Sequence, residues 1–238
     1  MSAAEIKQIL VLTGAGISAE SGLSTFRGAG GIWENHRVED VASPDAFRDD
    51  PALVHRFYNA RRSNLLHNGI KPNQAHAALA RLERQFKGQL TVVTQNVDNL
   101  HEIAGSQNVL HMHGELLRKI CCACERSSPA VEDIHVSSVC DSCAAVGTLR
   151  PDIVWFGEMP KYMDEIYSLL EQCDVFAAIG TSGHVYPAAG FVNFANEHGA
   201  SSIEINLEPS MQESRFQDCR YGPASLEVPA WVDSLLER

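Results

Sequence analysis

From Ile6 to Leu12 every position except Lys7 and Gln8 is aliphatic, and the run closes on Thr13-Gly14-Ala15-Gly16. A short apolar run ended by glycine predicts a buried strand and a tight turn. The pattern returns at Leu90 to Thr94, closed by Gln95-Asn96-Val97-Asp98, and more briefly at Asn108 to His111. It returns again at Asp174 to Ile179, closed by Gly180-Thr181-Ser182, and at Ser202 to Asn206, closed by Leu207-Glu208-Pro209. Helical periods lie between these runs. Asn73 to Phe86 places Ala77, Leu79, Ala80, Leu82 and Phe86 at amphipathic spacing. Pro51 to about Leu66 is helical in type, with Phe57, Tyr58 and Leu65 among arginines, and Ser18 to Ser21 opens a shorter helix. Strands alternating with helices predict an α/β fold, a doubly wound parallel sheet with helices on both faces.

Two segments interrupt this alternation. Phe26-Arg27-Gly28-Ala29-Gly30-Gly31 breaks all periodicity and reads as a loop. From about Leu116 to Leu149 aliphatic periodicity gives way to Ser, Cys and Ala, which reads as an insertion. The strand ends share a different property: they are small or polar. In an open parallel sheet the ligand crevice lies beyond the carboxyl ends of the strands, so these residues are expected to line one crevice.

Composition narrows the function. The 238 residues, 45% apolar and 21% charged, exclude disorder and collagen-like repeats and suit one large domain or a domain with an insertion. A net charge of −11 argues against a phosphate-gripping nucleic-acid binder and mildly favours basic substrates. No stretch approaches the roughly 18 apolar residues of a membrane span, and Met1 to Leu12 lacks the regions of a signal peptide. Seven cysteines, an odd number, include four in paired C-x-x-C spacing, which suggests metal in a reducing compartment and a cytoplasmic location.

Gly14-Ala15-Gly16-Ile17-Ser18-Ala19 fits the G-x-G-x-x-G/A pattern after a strand, where glycines let a pyrophosphate approach and the helix start faces its charge. Alone, the pattern equally fits a turn that merely needs glycine. An ordinary dinucleotide dehydrogenase also carries an acidic residue at its second strand about 20 residues on. Here that region is the glycine-rich loop and Trp33, with no strand expected, so Asn206 becomes a candidate reader of the adenosine ribose. Cys121-x-x-Cys124 and Cys140-x-x-Cys143 suit tetrahedral zinc, and four thiolates leave no open position, so the metal is structural. Cys122 fits this spacing less well. Cys173 and Cys219 read as small buried apolar residues.

Taken in order, Gly14-Ala15-Gly16-Ile17-Ser18, Thr25-Phe26-Arg27-Gly28, Thr94-Gln95-Asn96-Val97-Asp98, His113-Gly114-Glu115, the paired cysteines, Gly180-Thr181-Ser182 and Ile205-Asn206 resemble the sirtuins, the NAD-dependent protein-lysine deacylases. The resemblance runs from about residue 10 to about residue 228. It implies a Rossmann-like domain over 1–28, 72–114 and 150–238, and a small domain over 29–71 and 115–149 made of a helical module and a zinc module. It implies that NAD is consumed. The acyl oxygen of an acylated lysine attacks the anomeric carbon, nicotinamide leaves, and hydrolysis yields free lysine and O-acyl-ADP-ribose. An amide oxygen is a weak nucleophile, so positioning carries much of the rate, and the later step wants a base titrating near pH 7, for which histidine is suited.

By the same resemblance His113 is that base. Alternation alone leaves His111 and His113 on one face of a strand and does not separate them. Asn96 and Asp98 match the polar pair that holds the nicotinamide ribose, a water and the carboxamide, with Gln95 at the same edge. Phe26 is implied to cover the reacting ribose and Arg27 to order the loop and phosphates. Gly14, Ala15, Gly16, Ser18, Ala19, Gly180, Thr181, Ser182, Asn206, Leu207, Glu208 and Ala224 complete the implied NAD contacts. Val154, Phe156, Gly157 and Glu158 match the segment that receives the peptide as an added strand. Tyr58 and Arg61, three apart on one helical face, are similar to the Tyr-x-x-Arg pair of sirtuins that remove succinyl and malonyl groups. A guanidinium holds a carboxylate with two parallel hydrogen bonds and the tyrosine adds a third, whereas acetyl-lysine offers no carboxylate. Arg62 reads as the solvated neighbour.

Acylated protein lysines are therefore the expected partners, with no membrane or nucleic acid, and oligomeric state is left open. Two other classes compete. An NAD-dependent oxidoreductase would need the missing acidic ribose reader and a hydride acceptor site. A zinc-ribbon binding module sits poorly with the charge and the polar strand ends.

Overall fold

The computed structural model describes residues 6–24, 32–33 and 36–237. In chain order its first half runs β1 (Gln8–Thr13), α1 (Gly16–Ala19), β2 (Ile32–Trp33), β3 (His36–Arg37), α2 (Val38–Val41), α3 (Pro44–Asp49), α4 (Pro51–His67), α5 (Gln74–Gln85), β4 (Gln89–Thr94), α6 (Leu100–Ala104) and β5 (Val109–His111). The second half runs β6 (Gly114–Cys121), β7 (Ser127–Pro129), β8 (Leu149–Ile153), α7 (Met163–Gln172), β9 (Val175–Ile179), α8 (Phe191–Glu197), β10 (Ser201–Asn206), β11 (Asp218–Tyr221) and α9 (Ala224–Leu236).

Six strands form one sheet in the order β11-β10-β9-β1-β4-β5, and every pairing in it is parallel. Counted along the chain, the order is that of a doubly wound dinucleotide-binding sheet. Period-two alternation sorts the strand residues between two layers. Ile9 and Val11 of β1 join Leu79, Leu82, Val228 and Trp231 under α5 and α9. Leu10 and Leu12 join Ile166, Leu170, Phe191 and Val192 under α7 and α8. Truncating one of these buried leucines to alanine would cost about 2–5 kcal/mol. Both faces are covered, which is why the strands read as near-continuous apolar runs.

The two interruptions in the pattern are folded pieces. Between β1 and β4 the chain makes α2 to α4, whose starts are explicit in the sequence. Ser43 accepts from Ala46 N at 3.1 Å, Asp50 accepts from Leu53 N at 2.8 Å, and proline follows each cap. Trp33 was expected to lie where no strand forms. It sits in β2, two residues long and antiparallel to β3, a ribbon apart from the main sheet. The cysteine segment is not irregular either: β6 pairs antiparallel with β7 and with β8. The helical module packs on this second sheet through Val54, Phe57, Tyr58, Leu116, Ile153 and Trp155. Among the described residues no helix is long and apolar enough to cross a membrane.

Candidate active site

Strand order reverses between β1 and β9, and a cavity of about 1000 Å³ opens at their carboxyl ends. The glycines there meet a second requirement, set by the packing of the strand ends. A Cβ on Gly14 would stand 2.7 Å from Gly180 O, and one on Gly16 would stand 2.6 Å from Gly180 Cα. Gly180 itself has φ +64° and would drive a Cβ to within 2.4 Å of Ile17 N. All three therefore lack side chains so that two strand-end turns can touch backbone to backbone. The N–H groups of Gly14, Gly16, Ile17 and Ser18 donate to protein carbonyls, and Ala15 N–H alone among these five residues has no protein acceptor among the described residues. One free amide at a strand end suits a phosphate oxygen. Ala19, Thr181, Ser182, Leu207, Glu208 and Ala224 line the same cavity. Asn206 lines it too, but its amide is committed to bracing, donating to Thr181 O at 2.7 Å.

The loop after β4 is held by two histidines. His113 Nδ1–H donates to Gln95 O at 3.1 Å, which leaves Nε2 unprotonated. Burial lowers its pKa below the ordinary value while the Gln95 hydrogen bond opposes the shift, so the ring is neutral at pH 7. His111 differs in kind. Its two ring nitrogens face acceptors only, Asn96 O at 3.2 Å and Glu102 Oε1 at 2.6 Å. Burial acts to lower its pKa, but the hydrogen bond and charge of Glu102, with Glu115 and Asn96 O, outweigh burial and raise it. His111 is thus an imidazolium sealed behind the loop, 6% exposed, while His113 lines the cavity. Strand β5 ends at His111 and the turn begins, so the structure separates two residues that alternation left together.

Asn96 and Asp98 are buried at the cavity floor. Asn96 Nδ2 donates to Gly14 O at 3.1 Å and to Ser18 Oγ at 3.2 Å. Ser18 Oγ–H donates to Asp98 Oδ2 at 3.1 Å, and Leu100 N–H donates to Asp98 Oδ1 at 3.1 Å. Burial raises the Asp98 pKa against the pull of these two hydrogen bonds. A buried histidine pair, His76 and His101, lies behind this network with ring centroids 5.0 Å apart and planes tilted by 60°. None of Glu102, His76 or His101 stood out in the sequence. A histidine among the apolar positions of an amphipathic helix, as His76 is in α5, was the available signal.

At the far end of the cavity α4 presents Tyr58 and Arg61. The Arg61 guanidinium stands 5.5 Å from the Phe57 ring centroid. Arg62 corrects an expectation: it is 1% exposed, not solvated. Its Nε donates to Leu116 O at 3.2 Å and its Nη1 to Asn59 Oδ1 at 2.8 Å, because this face of α4 packs on the second sheet. The 154–158 segment after β8 borders the cavity on the same side as Tyr58, with Val154 N–H donating to His113 O and Phe156 N–H to Ala42 O. Phe26 and Arg27 lie outside the described residues.

Away from the cavity, Cys121, Cys124, Cys140 and Cys143 bring their Sγ atoms within 4.8 Å of one another. The pairs Cys121–Cys143 and Cys124–Cys140 stand 3.7 and 3.8 Å apart. A zinc ion with four bonds of about 2.3 Å sets tetrahedral edges of roughly 3.8 Å, so the donors fit that ion. Each C-x-x-C ends in the same turn. Glu125 and Ala144 adopt φ 58° and 59°, and their N–H groups donate to Cys121 O and Cys140 O. Cys122 stays outside the cluster; Cys173 is buried as expected, whereas Cys219 is only half-buried.

Comparison with known proteins agrees with this geometry. The Sir2 family profile matches residues 14–187. The NAD-dependent protein deacylase of Vibrio parahaemolyticus is 58% identical over 230 residues, covering 97% of this chain and 95% of that protein. That of Leishmania major is 59% identical over 233 residues, covering 96% of each. A solved complex of a Sir2 homologue with NAD superposes with TM-score 0.88 at 38% identity, covering 98% of this chain and 91% of that one. A Sir2 protein bound to acetylated peptide superposes with TM-score 0.82 at 28% identity, covering 97% and 94%.

Proposed function

The chain belongs to the Sir2 family, and from that premise we propose that it removes acyl groups from protein lysines with NAD as co-substrate, accepting succinyl and malonyl groups as well as acetyl. The observation that carries the acyl assignment is that Tyr58 and Arg61 line the same cavity as His113 and Asn96. NAD supplies an anomeric carbon with a cationic leaving group, and everything else falls to the chain's own side chains. Asn96 and Asp98, fixed through Ser18, hold the ribose and carboxamide end. His113 Nε2, unprotonated and on the cavity wall, takes a proton from a ribose hydroxyl. Gly14, Ala15, Gly16, Ser18, Ala19, Gln95, Gly180, Thr181, Ser182, Asn206, Leu207, Glu208 and Ala224 line the path of the dinucleotide, and the four cysteines hold a structural zinc.

The peptide adds along Val154, Phe156, Gly157 and Glu158, using backbone groups other than the three N–H donors already engaged, those of Val154, Phe156 and Glu158. Main-chain pairing of this kind carries little side-chain code, which suits many protein substrates. All seven cysteines are free, and four converge as metal ligands, which supports a reducing, cytoplasmic setting. The domain division proposed is a sheet domain over 1–28, 72–114 and 150–238 and a small domain over 29–71 and 115–149.

Mass spectrometry on acetyl-, malonyl- and succinyl-lysine peptides of one sequence, with NAD, tests this reading. Hydrogen bonds to charged groups contribute about 1.5–3 kcal/mol, so Arg61→Met is expected to cut desuccinylation by roughly 10- to 150-fold relative to deacetylation. An equal loss on both substrates refutes the acyl assignment. Release of the acyl group without NAD refutes the deacylase reading itself.

A further inference from the structure

Tyr58 is fully buried, yet it is one of the residues that line the cavity. Among the described residues its side chain makes one hydrogen bond, with Trp155 Nε1 at 3.0 Å. An indole nitrogen donates and never accepts. The bond therefore has one direction: Trp155 gives the proton, and Tyr58 Oη receives it. The phenol's own proton must then point away from Trp155. Burial pushes the Tyr58 pKa up, so the hydroxyl keeps that proton at any pH of interest.

Trp155 is itself held by two partners that are bound to each other. Its backbone N–H donates to Glu158 Oε2 at 2.8 Å. The Arg150 guanidinium lies 3.8 Å from its ring centroid, and Arg150 grips both Glu158 oxygens, at 2.7 and 2.8 Å. A fork-to-fork pair of this kind fixes direction as well as distance. It also neutralises Glu158, which would otherwise present an anion near Tyr58.

We propose that Trp155 is a positioning residue that sets specificity for acidic acyl groups: by donating to Tyr58 Oη, it aims the Tyr58 proton into the cavity beside Arg61, where an acyl carboxylate accepts it. The proposal rests on the assignment of Tyr58 and Arg61 to acyl recognition. An acetyl group has nothing to receive that proton, so the effect of Trp155 falls on the acidic substrates.

The test uses Trp155→Phe in the zinc-loaded full chain, with kcat and KM measured on succinyl and acetyl peptides of one sequence. The ratio of kcat/KM for succinyl to that for acetyl is expected to fall about 3- to 10-fold, the scale of one neutral hydrogen bond, and to fall through KM. In a Tyr58→Phe background the same substitution is expected to leave the ratio unmoved, because the oxygen it acts on is gone. If Trp155→Phe fails to fold, replacing the indole with benzothiophene keeps the bicyclic shape, removes the N–H, and gives the same readout. A ratio that Trp155→Phe leaves unchanged when Tyr58 is intact, or one that falls equally with and without the Tyr58 hydroxyl, overturns the proposal. Should Tyr58→Phe and Arg61→Met also leave the ratio unchanged, the acyl assignment falls with it. If those two lower the ratio and the Trp155 variants do not, the role of Trp155 alone is refuted.

Discussion

Replacing Glu102 with glutamine isolates the charge that keeps His111 protonated. The pair is 2.6 Å apart, with His111 side chain 7% exposed and Glu102 41% exposed. A hydrogen bond between charged partners contributes about 1.5–3 kcal/mol, and exposure of Glu102 reduces this to about 1–2 kcal/mol. For a chain of this size that corresponds to a loss of roughly 2–8 °C in Tm. The sign with pH follows from the direction of the shift. The folded pKa of His111 lies above its ordinary value of 6.5, so the contribution is complete below about pH 6.5. It is lost as pH rises through the folded value. Thermal unfolding of both proteins at pH 6 and pH 9, with zinc present throughout, is therefore expected to show a penalty for Glu102→Gln at pH 6 that shrinks at pH 9. A penalty of the same size at both values would mean that the pair holds no proton that matters, and the account of His111 as an imidazolium would fail.

Burial lowers the His113 pKa, so the acid limb of kcat/KM is expected to lie below 6.5, with activity lost as the ring gains a proton, and His113→Gln is expected to bind NAD by calorimetry without turning over. Gly16→Ala forces a Cβ to 2.6 Å from Gly180 Cα; overpacking of this kind costs about 1–3 kcal/mol, and a higher KM for NAD with a lower Tm is the expected pair of readings. Elemental analysis is expected to find one zinc per chain, and a strong chelator to unfold the second sheet by circular dichroism, since the metal-binding free energy that holds the four cysteines together is then lost.

Much of this was legible because the strands are buried on both faces. Ile9 to Leu12 and Phe176 to Ile179 have no polar position to confuse the reading, and their ends fall at glycine. The second sheet was not legible. Gly114–Cys121 reads GELLRKIC, half-buried along much of its length, and Ser127–Pro129 contains no large apolar residue at all. Its stability comes from four cysteines and from α4 packed upon it, and neither is a local property. Within the site, motif and spacing located the residues that touch the cavity but not those behind them. Glu102 is an ordinary surface acid in the sequence and acquires a role only because α6 turns it onto His111. The backbone contact of Gly14 and Gly16 with Gly180 was not legible either, since Gly180 lies more than 160 residues away in the chain.

The error over Arg62 shows how the α4 end of the cavity is built. One residue advances a helix by about 100°, so Tyr58 and Arg61 share one face of α4 while Asn59 and Arg62 share the next. The first face borders the cavity. The second is tied to the zinc-bearing segment: Asn59 Nδ2 donates to Ile134 O at 2.9 Å, Ile134 N–H donates to Asn59 Oδ1 at 3.0 Å, and Arg62 reaches Leu116 O. A helix held by paired bonds along one face has no freedom to rotate about its axis. The angle at which Tyr58 and Arg61 face the cavity is therefore set from the adjacent, buried side of α4. The zinc, by ordering the segment that carries Ile134, belongs to the same constraint. That also explains why a guanidinium is buried there: Arg62 spans from α4 to a strand carbonyl and to Asn59 at once, which a shorter or uncharged side chain would not do.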